Sequence, residues 1–192
     1  FLSAVPLIIG LRNMPSPLSH YVNISGLQIH YLEWNPESSK TILLLHGWLD
    51  HAEAWRETLN TVDSLGYRII VPEQRGHGKS GHLPAYDHYH FPDYVADMQA
   101  FIDHLELTSL IIIGHSMGGS IATLLCGVGA IPCSRLILIE GMGPAHEEPE
   151  SSFNRYKLHL KQRRAPKIHR VMESIETAAD RIQRLSPRLT IS

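Results

Sequence analysis

The stretch LIIIGHSMGG, residues 110–119, decides the fold of this 192-residue chain. Its first four residues, Leu110–Ile113, are apolar and typical of a strand covered on both faces in a parallel sheet. The small residues over Met117–Val128 favour a helix. Between the two lies Gly-x-Ser-x-Gly, a pattern whose serine occupies a sharp turn from strand to helix. This order of strand, turn and helix predicts a nucleophile elbow with Ser116 at its tip.

The residues around Ser116 are those that such a turn requires. Glycine on either side removes side chains that would block the turn and the approach of the helix to the sheet. The serine would then lie at a helix N-terminus, where free N–H groups stabilise developing negative charge. The supporting residues of this motif are Gly114, His115, Gly118 and Gly119.

A second motif, LHGW at residues 45–48, follows another apolar run. Acyl transfer needs two backbone N–H groups directed at the oxyanion. We expect Met117, the residue after the nucleophile, to supply one of them and Trp48 to supply the other. We interpret His46 and Gly47 as support for this loop. A surface or metal-binding histidine is the alternative interpretation of His46.

Apolar runs and periodic segments extend this organisation along the chain. A hairpin is predicted from Tyr21–Ser25 and Leu27–Trp34, and further strands over Thr41–Leu45, Tyr67–Val71 and Leu136–Ile139. Helices are predicted over Asp50–Leu65, Pro92–Leu105, Met117–Val128, Phe153–Arg164, Pro166–Met172 and Ser174–Leu185. The alternation of strands and helices predicts an α/β fold with right-handed crossovers, followed by a segment that is helical only.

Composition and charge exclude several classes of protein and divide the chain. With 43% hydrophobic residues, 19% charged residues and a net charge of −2, the chain is neither disordered nor a globally basic nucleic-acid binder. Its apolar runs are too short for a transmembrane segment. The charge balance is −9 through Glu150 and +7 from Ser151 onward, which predicts a boundary near residues 143–152.

We therefore expect residues 14–145 to form the core and residues 146–192 to form a helical cap segment. Residues 1–13 are interpreted as a non-native or upstream leader, and a truncated signal sequence is the alternative. Cys126 and Cys133 lie seven residues apart in an apolar region and are expected to be reduced and buried. That expectation favours a cytoplasmic or other intracellular compartment.

Four motifs resemble those of the α/β-hydrolase superfamily, and the resemblance covers residues 20–143. They are HGW at 46–48, RGHGKS at 75–80, GHSMGG at 114–119 and LILIEGMGP at 136–144. HGWLD at 46–50, YHF at 89–91 with DYVADM at 93–98, and LIEGMGP at 138–144 together resemble the serine-hydrolase-like branch. The resemblance implies an α/β-hydrolase core, whose mostly parallel sheet has strands one to six present and strands seven and eight missing. One departure is Glu73-Gln74, near which relatives carry an aspartate.

The resemblance also implies an activity. A serine at the elbow points to hydrolysis of a small carboxylic ester, or a related acyl bond, through an acyl-serine intermediate. It disfavours relatives with an aspartate there, the epoxide hydrolases and haloalkane dehalogenases. No cofactor is expected, since a nucleophile and an oxyanion hole need none. We expect a small-molecule substrate, no nucleic-acid partner and no metal, and interpret His82, His88 and His90 as part of a polar loop.

The catalytic triad of this fold runs in the order serine, acid, histidine. Glu140, which ends the predicted sixth strand, is the candidate acid; in the alternative it only holds the hinge of the cap, and the acid lies beyond residue 192. The downstream histidines His146, His159 and His169 are interpreted as polar loop and cap residues. The catalytic histidine is therefore expected outside the chain, which we expect to be an incomplete fragment.

Two other functions stay open at this point. The first is a non-catalytic protein of the same fold, either a ligand-binding protein or an inactive fragment, and a late histidine in a longer reading frame would distinguish it from an enzyme. The second is a basic surface over residues 155–170 that binds nucleic acid or anionic membranes, which strong salt dependence would reveal. We interpret the basic residues as a solvated face of the cap.

Overall fold

The computed structural model describes residues 15–62, 66–84, 87–143, 148, 151–164 and 172–185. Within these residues, six strands form one sheet. They are β1 (Leu18–Ile24), β2 (Leu27–Trp34), β3 (Thr41–Leu45), β4 (Arg68–Pro72), β5 (Leu110–His115) and β6 (Cys133–Ile139). Each predicted strand is present, although β1 and β6 begin three residues earlier than their sequence patterns indicate.

The order of the strands places the functional end of the sheet. Across the sheet they run β1-β2-β4-β3-β5-β6, with antiparallel pairing from β1 to β4 and parallel pairing from β4 to β6. The chain passes from β3 to β4 on one side and then crosses to β5 on the other. In open parallel sheets, ligands bind outside the carboxyl ends of the strands where the order reverses in this way. The mostly parallel α/β architecture with strands one to six is therefore confirmed, and its binding edge lies at the ends of β3 and β5.

Helices alternate with the strands along the chain and follow the last strand. The described helices are α1 (Arg56–Val62), α2 (Phe91–His104), α3 (Met117–Gly127), α4 (Ser151–Arg164) and α5 (Ile175–Leu185). Instead of one helix over Asp50–Leu65, a short 3₁₀ turn over Ala52–Trp55 precedes α1, and residues 63–65 lie outside the described residues. The helix predicted over Pro166–Met172 also lies outside them, except for Met172, which is not helical.

Two apolar clusters hold the sheet between helical layers. Side chains of β3 alternate between them, with Leu43 and Leu45 facing α2 and α3, and Ile42 and Leu44 facing α1 and the preceding 3₁₀ turn. Burial of each such side chain contributes about 1.5–3 kcal/mol. Because both faces of β3 are covered, its carboxyl end is held rigidly, as a site at that edge requires.

β6 differs from the expectation of strands covered on both faces. Ile137 and Ile139 keep 47% and 40% of their surface exposed, so the face of β6 that carries them is not covered by the described residues. The expectation that both cysteines are buried is also wrong: Cys126 and Cys133 are free and only partly buried. The first lies in the last turn of α3 and the second begins this edge strand, so both remain near solvent.

Contacts divide the chain into two units, residues 1–147 and 148–192. In the second unit, α4 exposes large apolar side chains such as Phe153 and Tyr156 beside basic ones. In α5, Ile175 and Ile182 are exposed and lie two turns apart on one face. No described helix combines the length and the apolar character that crossing a bilayer requires. The assignment of this unit as a cap stays a prediction.

Candidate active site

Ser116 occupies the turn between β5 and α3 in a conformation that is rare for a residue with a side chain. Its φ and ψ are +49° and −113°, outside the regions that a serine adopts without strain. Its amide donates to the carbonyl of Ile139 at 2.9 Å, and its carbonyl accepts from the amide of Ser120 at 3.1 Å. The end of β6 and the first turn of α3 therefore hold the strained residue in place.

Glycines permit the close approach of backbones around Ser116. A Cβ atom on Gly118 would overlap the carbonyl oxygen of Leu45, at the end of β3. A Cβ atom on Gly119 would lie 2.5 Å from the carbonyl oxygen of Gly141, just after β6. The first turn of α3 thus touches the ends of β3 and β6 through positions that admit no side chain.

This approach leads to a stability prediction. Gly118→Ala is expected to lower the free energy of unfolding by about 3 kcal/mol, because backbone atoms of Leu45 and His46 would have to move. Gly127→Ala in the same helix is the control: its Cβ meets nothing within 4 Å, so it should stabilise the chain by up to about 1 kcal/mol. Urea unfolding measures both variants. Equal stability of the two variants would contradict the contact between α3 and β3.

The loop after β3 lies directly against the nucleophile. A Cβ atom on Gly47 would be 3.4 Å from Cβ of Ser116, and Trp48 follows with 55% of its surface exposed. Within the described residues, neither the amide of Trp48 nor that of Met117 donates a hydrogen bond. Two amides without acceptors therefore flank Ser116, on the residues that the sequence predicts as oxyanion donors.

His46 supports this loop from the interior of the protein. It is fully buried, with Nδ1 lying 2.8 Å from the carbonyl of Gly47 and Nε2 accepting the amide of Gln74 at 3.0 Å. Because the carbonyl can only accept, the proton lies on Nδ1. Burial lowers the pKa of His46 to about 4. His46 is therefore a neutral structural support near pH 7, and neither a surface residue nor a base.

The departure at Glu73 is accommodated by a buried hydrogen-bond network. Its carboxylate accepts the amides of Lys79 at 2.6 Å and Ala52 at 3.3 Å, and pairs with Nδ1 of His30 at 2.8 Å. Burial alone would raise the pKa of Glu73, but these three partners together hold it below its ordinary value. The carboxylate thus fixes the RGHGKS loop to β2 and to the turn after β3. The sequence motif did not identify these partners.

Ser19 extends this network into a row, Ser19–His30–Glu73, in which the hydrogen bonds link serine, histidine and carboxylate as in a catalytic triad. Its hydroxyl lies 2.9 Å from Nε2 of His30, whose other nitrogen pairs with Glu73. The row lies at β1, which three strands separate from β5. Since the carboxylate of Glu73 also holds two loop amides, we assign the row to structural support.

The RGHGKS loop is also fixed to α2. Arg75 donates from Nε and Nη2 to the two carboxylate oxygens of Asp97, at 2.6 and 2.7 Å. His77, two residues later, accepts the amide of Leu49 at 3.2 Å. The loop therefore connects α2 with the segment that carries Trp48, a connection that sequence patterns do not reveal.

Glu140, the candidate acid, directly follows β6 beside the elbow, and its side chain lies at the surface. Its side chain is 85% exposed, and its carboxylate lies 4.0 Å from Nε2 of His115. Solvent therefore satisfies it. A Cβ atom on Gly141 would overlap the carbonyl oxygen of Ser116, so the backbone that carries Glu140 touches the nucleophile turn.

Comparison with known proteins agrees with this geometry. The model of the alpha/beta hydrolase fold family matches residues 40–171. The chain belongs to this family. The match includes the elbow, the HGW loop and the RGHGKS loop, and it extends into α4.

Similar proteins carry several activities in their names. This alpha/beta hydrolase chain is 34% identical over 131 residues to a non-heme haloperoxidase of Rhodococcus erythropolis, covering 66% of this chain and 45% of the relative. It is 32% identical over 127 residues to a serine hydrolase-like protein of Dictyostelium discoideum, covering 66% of this chain and 35% of the relative. The solved thioesterase domain from the curacin biosynthetic pathway matches with a TM-score of 0.78 and 29% identity, over 92% of this chain and 64% of that one. The chain spans less than half the length of these curated relatives.

Three histidines follow Ser116 in the sequence, at positions 146, 159 and 169. His159 lies in α4, in the second unit, while His146 and His169 lie outside the described residues. The rings of His88 and His90 are 6.4 Å apart. In the described part of the chain, no group of three or more histidine, cysteine or acidic side chains is placed to hold a metal ion.

The buried imidazole of His46 gives a prediction for pH. Its NMR signals should stay those of the neutral ring at pH 6 and titrate near pH 4, against an ordinary pKa of 6.5. Between these values the unfolded chain binds more protons than the folded chain, so stability falls as the pH falls. His46 is expected to contribute about 3 kcal/mol to the total loss of stability that urea unfolding measures between pH 7 and pH 4. A titration midpoint near 6.5 in the folded protein would contradict this assignment.

Proposed function

We propose that this chain carries the nucleophile and oxyanion hole of a serine hydrolase that cleaves a small carboxylic ester or a related acyl bond. The observation that carries the proposal is the strained Ser116 turn with the HGW loop packed against it. Such a turn exposes the serine hydroxyl at the edge of the sheet. The amides of Trp48 and Met117, which have no acceptor among the described residues, are the proposed oxyanion donors.

In the proposed reaction, Oγ of Ser116 attacks the acyl carbon while its proton passes to a histidine base. The carbonyl oxygen becomes an oxyanion that the two amides stabilise, and the alcohol leaves with the proton from the histidine. Water then attacks the acyl-serine ester and releases the acid. Within the described residues no imidazole bonds to the hydroxyl of Ser116, so we assign the base to a residue outside them.

The names of two of the similar proteins support this chemistry. A serine hydrolase-like protein and a thioesterase domain are both similar to the chain over residues that include the elbow. A thioesterase cleaves an acyl bond to sulfur, which is the same acyl transfer with another leaving group. The assignment of an ester substrate and of the acyl-serine intermediate is our proposal for this chain.

Trapping the intermediate tests the proposal. The full-length gene product is mixed with p-nitrophenyl acetate, quenched with acid during turnover and digested for mass spectrometry. We expect an acetyl group, a gain of about 42 Da, on the peptide that contains Ser116. Turnover with no acyl group on this peptide under conditions that trap a known serine esterase would contradict the mechanism. Absence of both turnover and acylation would favour the non-catalytic alternative.

A further inference from the structure

The turn over Gly47–Asp50 contains a backbone conformation that leucine rarely adopts. The amide of Asp50 closes the turn on the carbonyl of Gly47 at 3.4 Å, and Leu49 has a φ of +60°. Glycine is usual at this third position of a turn, because a side chain is unfavourable there. The second position is Trp48, the proposed oxyanion donor. The carbonyl of the Gly47–Trp48 peptide accepts from Nδ1 of His46 at 2.8 Å, and a contact that holds Leu49 fixes the other side of Trp48, so the two together set the direction of the Trp48 amide.

His77 provides such a contact from one buried ring. Its Nε2 accepts the amide of Leu49 at 3.2 Å, and its Nδ1 lies 3.0 Å from the carbonyl of Arg75. Since a carbonyl can only accept, the proton lies on Nδ1 and Nε2 is unprotonated. The ring also meets the indole of Trp48 edge to face, with 5.3 Å between their centroids. The strained residue, Leu49, and the proposed donor residue, Trp48, thus both contact His77.

We propose that His77 is a positioning residue for the oxyanion hole, whose neutral imidazole fixes the turn and so directs the amide of Trp48 at the acyl oxygen. This inference rests on the proposed function, because the direction of the amide matters only if an oxyanion forms on Ser116. Protonation of His77 would place a hydrogen on Nε2 opposite the N–H of Leu49. Two donors would then face each other, and the turn would lose its anchor.

The groups around His77 favour its neutral form near pH 7. Burial lowers the pKa of His77, and His82 acts in the same direction, while Asp50 opposes them. The rings of His46 and Tyr94 lie 5.1 and 6.2 Å from it, from the end of β3 and from α2. Burial lowers the pKa of His46 to about 4 and raises that of Tyr94 to about 12, so both are uncharged between pH 5 and pH 8. Because the pKa of His77 is depressed, the anchored turn is lost as the pH falls.

The first part of the test measures the turn itself and does not depend on activity. In the full-length gene product, amide hydrogen exchange of Leu49 is compared between wild type, His77→Phe and His77→Gln. Urea is adjusted so that the three proteins have the same free energy of unfolding. Phenylalanine keeps a ring but accepts no hydrogen bond, so we expect exchange at Leu49 to be at least about tenfold faster. The side-chain oxygen of glutamine can accept the amide and does not titrate, so His77→Gln should restore most of the protection. His104→Gln, on an exposed histidine in the last turn of α2, should change nothing.

The second part measures ester turnover. Removal of an oxyanion donor costs about 10²–10³-fold in kcat, and misplacement of one should cost less, so we expect His77→Phe to lower kcat about 10- to 100-fold. KM should stay within about threefold, His77→Gln should recover most of kcat, and His104→Gln should behave as wild type. After correction for intrinsic exchange, protection of Leu49 in wild type should fall with decreasing pH, whereas in His77→Gln it should not.

The outcomes separate this inference from the proposed function. Unchanged protection of Leu49 in His77→Phe overturns the inference, whatever the activity. Lost protection with unchanged kcat also overturns it, while an inactive Ser116→Ala variant in the same assay leaves the proposed function intact. If Ser116→Ala retains full turnover, the proposed function fails and the inference fails with it. Loss of both protection and kcat in His77→Phe, with recovery in His77→Gln, supports it.

Discussion

Replacing Ser116 with alanine is expected to lower ester turnover by the full-length gene product about a million-fold. The serine hydroxyl supplies the atom that bonds to the acyl carbon, and removal of such a nucleophile leaves only the effects of the oxyanion hole and of substrate binding. The fold should be retained, because the hydrogen bonds that hold this turn come from the backbone of Ser116. Initial rates with p-nitrophenyl acetate give kcat/KM for both proteins.

Ser120→Ala is the matched control for this prediction. Its hydroxyl lies one turn further along α3 and donates to the carbonyl of Gly143 at 2.8 Å. Loss of that bond should cost about 1 kcal/mol of stability and leave turnover within a few-fold of wild type. An equal loss of turnover in both variants would show that the loss comes from misfolding of α3 and not from the missing nucleophile. Near-wild-type turnover in Ser116→Ala would rule out the acyl-serine mechanism.

The elbow could be predicted because its signals are local. A strand, a glycine-flanked serine and a small-residue helix follow one another within residues 110–127, and each has a steric cause that can be recognised in the sequence. The same holds for β3 and the HGW loop, where a continuous apolar run ends in a polar motif. Periodicity also located α2, since its buried side chains recur at helical spacing.

Features that depend on distant partners could not be predicted in this way. Glu73 appeared as a departure from relatives, and only the fold brings His30 and the amide of Ala52 to its carboxylate. The contact between His77 and Leu49 likewise joins two loops, and neither loop carries a signal for the other. Cys126 is partly exposed because it lies in the last turn of α3. The apolar residues around it in the sequence suggested burial and did not reveal this position.

Glu140 has the open oxygen atoms that a triad acid needs. At the same edge of the sheet, the carboxylate of Glu73 is occupied by three donors, and that of Asp97 by the guanidinium of Arg75. The side chain of Glu140 is 85% exposed, and its carboxylate lies 4.0 Å from Nε2 of His115. It also follows a strand end that contacts the Ser116 turn. A catalytic histidine reaching this edge could therefore donate to Glu140 without displacing another partner.

Glu140→Gln is accordingly expected to lower kcat of the full-length gene product by up to about 10⁴-fold, because an amide cannot stabilise the imidazolium that forms during acyl transfer. Stability to urea should change little, since the side chain is exposed. Glu106→Gln, on an exposed carboxylate ahead of β5 at the opposite edge of the sheet, is the control and should keep full turnover. If Glu140→Gln stays within a few-fold of wild type while another carboxylate proves essential, Glu140 only supports the segment after β6. A large loss confined to Glu140→Gln would place the acid of the triad after the sixth strand.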